Sequence, residues 1–406
     1  RREQAMSISG LSKARLARMH EVMAGYVERG EVPGLITLVS RRGEVHVDLI
    51  GTQAFGERSP MRRDTIFRIS SLTKPIIAVA TLILAEEGQV QLDEPVNVLL
   101  PELAERRVLK RLDGELHDTV AASRPITVRD LLTFCMGFGQ IMGSPDAYPI
   151  LKAAHEQQLG MGPPSPSLLP PPDEWMRRLG QLPLMHQPGE QWMYHTGSDV
   201  LGVLIARASG QPLERFLLER IFEPLGMQDT GFSVPEASLD RFVTSYWNDP
   251  VSGKLVVYDP ARGSQWSHPP AFPSGAGGLV STIDDYLAFG QMMLALGKHG
   301  NERILSRLSI EAMTTDQLTP EQKAVSNLVP GFFDTHGWGF GVSIITRRDD
   351  IAAVPGRYGW DGSMGTSWYC DPQENMIIIL MTPCFLAAPH PPNVTFWTLA
   401  YQAIDD

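Results

Sequence analysis

Ser71-Leu72-Thr73-Lys74 places a hydroxyl and an amine three residues apart at the mouth of an almost wholly apolar run, residues 75–85. The run reads as a buried helix. Pro75 is tolerated only in a helix's first turn, so the helix is expected to begin near Ser71, with Lys74 about one turn in. Residues i and i+3 share a helix face, which sets Lys74 beside Ser71. A serine hydroxyl is a poor nucleophile without a base. An ammonium cannot accept a proton, but burial and the positive end of a helix both lower a lysine's pKa from its usual 10.4 or so. The plainer alternative is a serine cap with a lysine reaching out to water. The Ser71 backbone N–H has no partner within the helix and can serve as one oxyanion donor.

Two further stretches qualify. Tyr194, in PGEQWMYHTGSDVLG, stands just before a second helix. A neighbouring cation is expected to ease the loss of its proton. In GRYGWDGSMGTSWYCDP, glycines crowd the edge of an expected strand, which often marks the close approach of a ligand or of backbone. The Ser363 N–H is the candidate second oxyanion donor there.

These residues need elements to hold them. Residues 12–29 read as a helix and 34–54 as a hairpin about an Arg-Arg-Gly turn. Residues 198–227 read as two helices broken at Gly210, and 338–347, 365–372 and 375–383 as consecutive antiparallel strands. A helix over 395–404 closes the chain. Strands at both ends with helices between them predict an α/β fold: an antiparallel sheet flanked by helices, built from residues 6–105 and 274–406, with a mostly helical insert over 106–273. The Pro-rich loop at 160–174 is expected to be a surface excursion or lid.

Bulk composition narrows the function classes. The chain has 406 residues, of which 43% are hydrophobic and 20% charged, with a net charge of −11. No block of Lys and Arg suggests nucleic-acid binding. No apolar run is long enough to span a membrane. Cys135, Cys370 and Cys384 form neither a disulfide framework nor a metal pattern, and no signal-peptide h-region is seen, so a cytoplasmic setting is expected. The histidines, His195 among them, lack metal-ligand spacing and are read as structural; Trp192, Trp247, Trp266 and Trp338 are read as core. The GAGG at 275–278 lacks phosphate-loop spacing, and no Gly-x-Ser-x-Gly elbow occurs. The sequence says nothing of oligomeric state.

Ser-x-x-Lys is the nucleophile motif of penicillin-recognising serine enzymes. Together with GQVQLDEPVNVLLPEL, ITVRDLL, PGEQWMYHTGSDVLG and GAGGLVSTIDDY, it resembles the serine β-lactamase and penicillin-binding-protein superfamily over nearly the whole chain. The nearest branch is the class C β-lactamase-like serine hydrolases, and within them the family VIII carboxylesterases. The resemblance implies a β-lactamase/transpeptidase-like fold, Ser71 as nucleophile, Lys74 as its base and Tyr194 as a second base. It also implies oxyanion donors at Ser71 and Ser363, and no metal or cofactor. Trp360-Asp361-Gly362 stands in place of the Lys-Thr-Gly triplet, and Tyr194-His195-Thr196 in place of Tyr-x-Asn. Trp360, Asp361, Gly362 and Thr196 are therefore the expected substrate contacts. The missing lysine favours a small neutral ester over a carboxylate-bearing β-lactam, unless Arg357 restores the charge. The alternatives are a β-lactamase, D-aminopeptidase or transpeptidase acting on amide bonds, and a non-catalytic penicillin-binding-like protein.

Overall fold

The computed structural model describes residues 7–326, 328–387 and 389–406; Met6, the expected head of the sheet unit, lies outside the described residues. Apolar runs at both ends of the chain, buried on both faces in the central strands, build one seven-stranded sheet. Its strands are β1 (Gly34–Arg41), β2 (Glu44–Gly51), β3 (His336–Trp338), β4 (Ser343–Ile345), β5 (Tyr358–Gly362), β6 (Thr366–Asp371) and β7 (Met376–Met381). The order is β3-β4-β5-β6-β7-β1-β2, antiparallel throughout, and β7 pairs with β1 through Ile36–Met381 to Arg41–Met376.

Because side chains alternate across a strand, each central strand feeds two cores. Ile36, Leu38, Trp368, Ile377 and Ile379 pack on one face with α2 (Thr73–Glu86) and α4 (Ile283–Leu294). Leu35, Val39, Tyr369, Ile378 and Leu380 pack on the other with α1 (Lys13–Glu28) and α5 (Pro392–Gln402). A one-residue slip of β7 would exchange these two sets, so burial on both faces fixes the register. Residues 106–273 contribute helices and two short hairpins; many of their apolar side chains join the same core as the sheet's α2 face, while Tyr246 packs on the opposite face and Phe134 and Trp192 form a separate aromatic cluster.

Three local differences from the sequence reading bear on function. The helix expected from Ser71 begins at Thr73, after a 3-10 turn over Ser70–Leu72. Ser70 adopts a left-handed φ of 44°, which breaks the helical path just before Ser71. The run 338–347 is not one strand. It doubles back between β3 and β4 through Gly341 (φ 73°), whose bare Cα lies so close to the Lys74 carbonyl that a Cβ would sit 3.0 Å from it. Finally, β5 is a full sheet member although its sequence is glycine-rich.

Candidate active site

Two buried helices lie side by side and present their N-terminal ends to the same spot. In α2, every residue from Thr73 to Leu84 is buried. The second is α3 (Thr196–Ser209), buried from Thr196 to Ile205. Together they bring Ser71, Lys74 and Tyr194 into one hydrogen-bonded group. Lys74 Nζ lies 3.0 Å from Ser71 Oγ, and Tyr194 OH lies 2.7 Å from the same oxygen. Trp360, on β5, donates its indole N–H to Tyr194 OH at 2.7 Å. An indole nitrogen only donates, so the tyrosine's own proton is left for Ser71.

Lys74 is fully buried, and desolvation lowers its pKa to about 7 against the opposing pull of Asp199. Its amine donates to the Ala276 carbonyl at 2.7 Å. Asp199, on α3, is itself pushed up to about 6 by burial. It accepts hydrogen bonds from Ser274 Oγ (2.6 Å) and the Ala276 N–H (3.0 Å), so it holds the loop that carries the Ala276 carbonyl. Tyr194 departs from expectation: burial raises its pKa well above 10, outweighing the hydrogen bonds with Ser71 and Trp360 that favour the phenolate. It therefore keeps its proton at neutral pH. Its ring is held by Trp192 at 5.6 Å, Phe134 at 5.7 Å and Trp360 at 5.6 Å, with Lys74 Nζ 4.5 Å from its centroid.

Ser71, Tyr194, Trp360 and Ser363 line one open cavity of about 660 Å³, which Met161–Pro164 of the Pro-rich loop also wall. Among the described residues, no lysine or arginine lines it. Gly362 packs its backbone against Ile69 O and the Ser70 and Thr366 side chains, so that any Cβ would collide there. Its role is to seat β5 against the Ser71 turn.

Of the expected substrate contacts, Trp360 and Asp361 line the cavity, whereas Gly362 and Thr196 do not. The Asp361 carboxylate alternates away from Trp360 and accepts from Tyr369 OH (2.6 Å) and Asn393 Nδ2 (3.3 Å) on the α5 side of the sheet. Arg357 cannot restore the missing charge, because its guanidinium is buried over Tyr369 (4.1 Å) and Trp397 (4.9 Å). Thr196 is wholly buried, with its hydroxyl on Met161 Sδ at 3.7 Å, and does not reach the cavity.

Sequence reasoning missed Asp199, the Ala276 carbonyl and the position of His195. His195 Nδ1 lies 3.3 Å from Lys74 Nζ, so this histidine belongs to the site. The available signal was a carboxylate inside the otherwise apolar DVLGVLIA, where a buried charge needs partners. A backbone carbonyl leaves no mark in the sequence. Of the tryptophans read as core, Trp266 and Trp338 are fully buried and Trp192 nearly so. Trp247 lines a smaller cavity, of about 310 Å³, behind the Pro-rich loop. Burial raises the pKa of Cys135 and Cys384 to about 12 and that of Cys370 as well, which leaves no thiol suited to nucleophilic work.

Residues 19–394 match the Beta-lactamase family. Protein Rv1367c of Mycobacterium tuberculosis is 36% identical over 362 residues, covering 87% of this chain and 86% of that one. Esterase EstB of Burkholderia gladioli is 31% identical over 404 residues, covering 93% and 92%. Among solved structures, EstCE1, titled a hydrolase with promiscuous acyltransferase activity, superposes with a TM-score of 0.79 at 24% identity, covering 98% of this chain and all of that one.

Proposed function

The chain belongs to the Beta-lactamase family, and from that footing we propose that it is a serine carboxylesterase of the family VIII type, cleaving short- to medium-chain neutral esters through an acyl-enzyme on Ser71. The observation that carries this reading is the pairing of a neutral-prone Lys74 with Ser71 Oγ beside a cavity whose described lining includes no lysine or arginine. An anionic β-lactam would find no counter-charge there. The esterase named among its relatives supports the same reading.

Neutral Lys74 accepts the Ser71 proton as Oγ bonds to the ester carbonyl carbon and the carbonyl electron pair moves to oxygen. The backbone N–H groups of Ser71 and Ser363 are the proposed donors to that oxyanion. On collapse the C–O bond to the alcohol breaks, Tyr194 protonates the departing oxygen, and the Lys74 ammonium makes good the tyrosine's proton. Water then bonds to the acyl carbon as neutral Lys74 accepts its proton; on collapse the C–O bond to Ser71 breaks, Tyr194 protonates Ser71 Oγ, and the Lys74 ammonium returns a proton to the tyrosine. We further infer a cytoplasmic setting, which the three buried, unpaired cysteines support.

Comparing kcat/KM for p-nitrophenyl butyrate and a cephalosporin tests the assignment. The ester should be favoured by several orders of magnitude, and Ser71→Ala should abolish turnover. A preference for the cephalosporin would replace this reading with an amide-directed one. A folded protein that turns over neither substrate and takes no label from a fluorophosphonate would point to a non-catalytic relative.

A further inference from the structure

His195 sits between the nucleophile's base and the Pro-rich loop in a backbone conformation that asks for a reason. Its φ of 97° and ψ of −65° are γ-turn angles, rare and strained for a residue with a Cβ. In extended chain, neighbouring side chains point to opposite sides. Here the bend lets both Tyr194 and His195 reach the Ser71–Lys74 pair, the first at Ser71 Oγ and the second at Lys74 Nζ.

The imidazole's other nitrogen settles its proton. Nε2 lies 2.8 Å from the Gly160 carbonyl, which can only accept, so Nε2 carries the hydrogen. Burial and the nearby Lys74 press the ring's pKa well below 6.5, so it is neutral and Nδ1 is bare. Lys74 Nζ therefore faces two pure acceptors, Ala276 O at 2.7 Å and His195 Nδ1 at 3.3 Å, and one hydroxyl, Ser71 Oγ at 3.0 Å. A neutral amine has two N–H bonds and one lone pair.

We propose that His195 is a positioning residue for the general base: with the Ala276 carbonyl it takes both N–H groups of neutral Lys74, which leaves the lone pair aimed at the Ser71 hydroxyl. Without it, the amine is free to rotate an N–H toward Oγ and accept nothing. When the Ser71 proton arrives, the ammonium's third N–H points at Oγ and the two other bonds are unchanged. His195 is the middle residue of the Tyr194-His195-Thr196 triplet, whose third residue, Thr196, turns to Met161. The Gly160 carbonyl, at the head of the Pro-rich loop, selects the tautomer.

The inference rests on the roles given above to Ser71 and Lys74. Its test combines the nitrogen NMR signature of His195 with kinetics of His195→Ala and His195→Asn. The parent should show Nε2–H and an unprotonated Nδ1 at the assay pH. His195→Ala should lower kcat for p-nitrophenyl butyrate about tenfold, the scale of one well-placed hydrogen bond, with KM little changed. His195→Asn, whose amide oxygen can occupy the Nδ1 position, should recover most of that loss. Fluorophosphonate labelling rates of Ser71 should follow the same order. An Nδ1–H tautomer, an alanine variant as fast as the parent, or an asparagine variant no better than alanine would overturn the proposal. A parent that labels readily but cleaves no ester would sink the esterase reading alone, because the labelling rates of the variants would still report on His195.

Discussion

At Lys74, burial does the work that makes a lysine useful near neutrality. The amine accepts a proton only when unprotonated, so kcat/KM should rise with pH through about 7 and level off above it, and activity should be lost as the pH falls through that value. Lys74→Arg, which stays charged, should abolish turnover without emptying the site. Stability carries the same signature. The folded value lies below the ordinary 10.5, so the unfolded chain binds more protons in the window from about 7 to 10.5. Stability therefore rises with pH across it. A thermal melt series on Lys74→Met should show that slope flattened. Tyr194→Phe should lower kcat about 100-fold, the lower end for a general acid or base, and Trp360→Phe about tenfold by removing one donor. Ser71 and Lys74 were legible in sequence because a proline in the first turn and an unbroken apolar run fix both the helix start and its burial. The direction of the Tyr194 shift was not, because it depends on the aromatic side chains that close around the ring.

The elements that hold these groups meet at the β5–β6 hairpin and the Ser70–Leu72 turn. Thr366 Oγ1 donates to Ile69 O at 3.0 Å, the Met364 N–H donates to Ser70 Oγ at 3.3 Å, and Gly362 leaves room for both. Gly362→Ala should push the hairpin off the turn, lowering kcat well over tenfold together with a fall in melting temperature. Arg357→Met should behave differently. It removes a cation stacked on the α5 side, so melting temperature should drop while KM for neutral esters stays within about twofold, as expected of a group remote from the cavity. Strand β5 was hard to see beforehand, because Gly359 and Gly362 have poor intrinsic strand preference and only pairing with β4 and β6 makes them extended. The alternation of Trp360 and Asp361 is an ordinary consequence of a strand once it is recognised. That alternation turns the Asp361 carboxylate to internal hydrogen-bond partners, while the residue still lines the cavity.

Across the whole molecule, the two ends of the chain build the sheet, and the long middle segment supplies the wall opposite Ser71. The terminal hairpin, strands β6 and β7 and helices α1, α2 and α5 were readable from the sequence pattern. The cavity was not, because it is made by segments far apart in sequence: Gln140–Gly143, the Pro-rich loop, Trp360 and Phe385. A space of about 660 Å³ admits more than an acetyl group, and its wall includes Ile141, Leu151, Met161 and Phe385. Filling it should change which acyl chains fit. With Ile141→Trp, kcat/KM for the octanoate ester should fall at least tenfold relative to the acetate ester; an unchanged chain-length profile would mean that the acyl chain lies elsewhere.

The most direct test of the central claim is peptide mass spectrometry of the protein quenched during turnover of p-nitrophenyl butyrate. A butyryl group is expected on the peptide that contains Ser71 and is absent from Ser71→Ala. A butyryl group carried on a different residue, or undiminished turnover by Ser71→Ala, would contradict it.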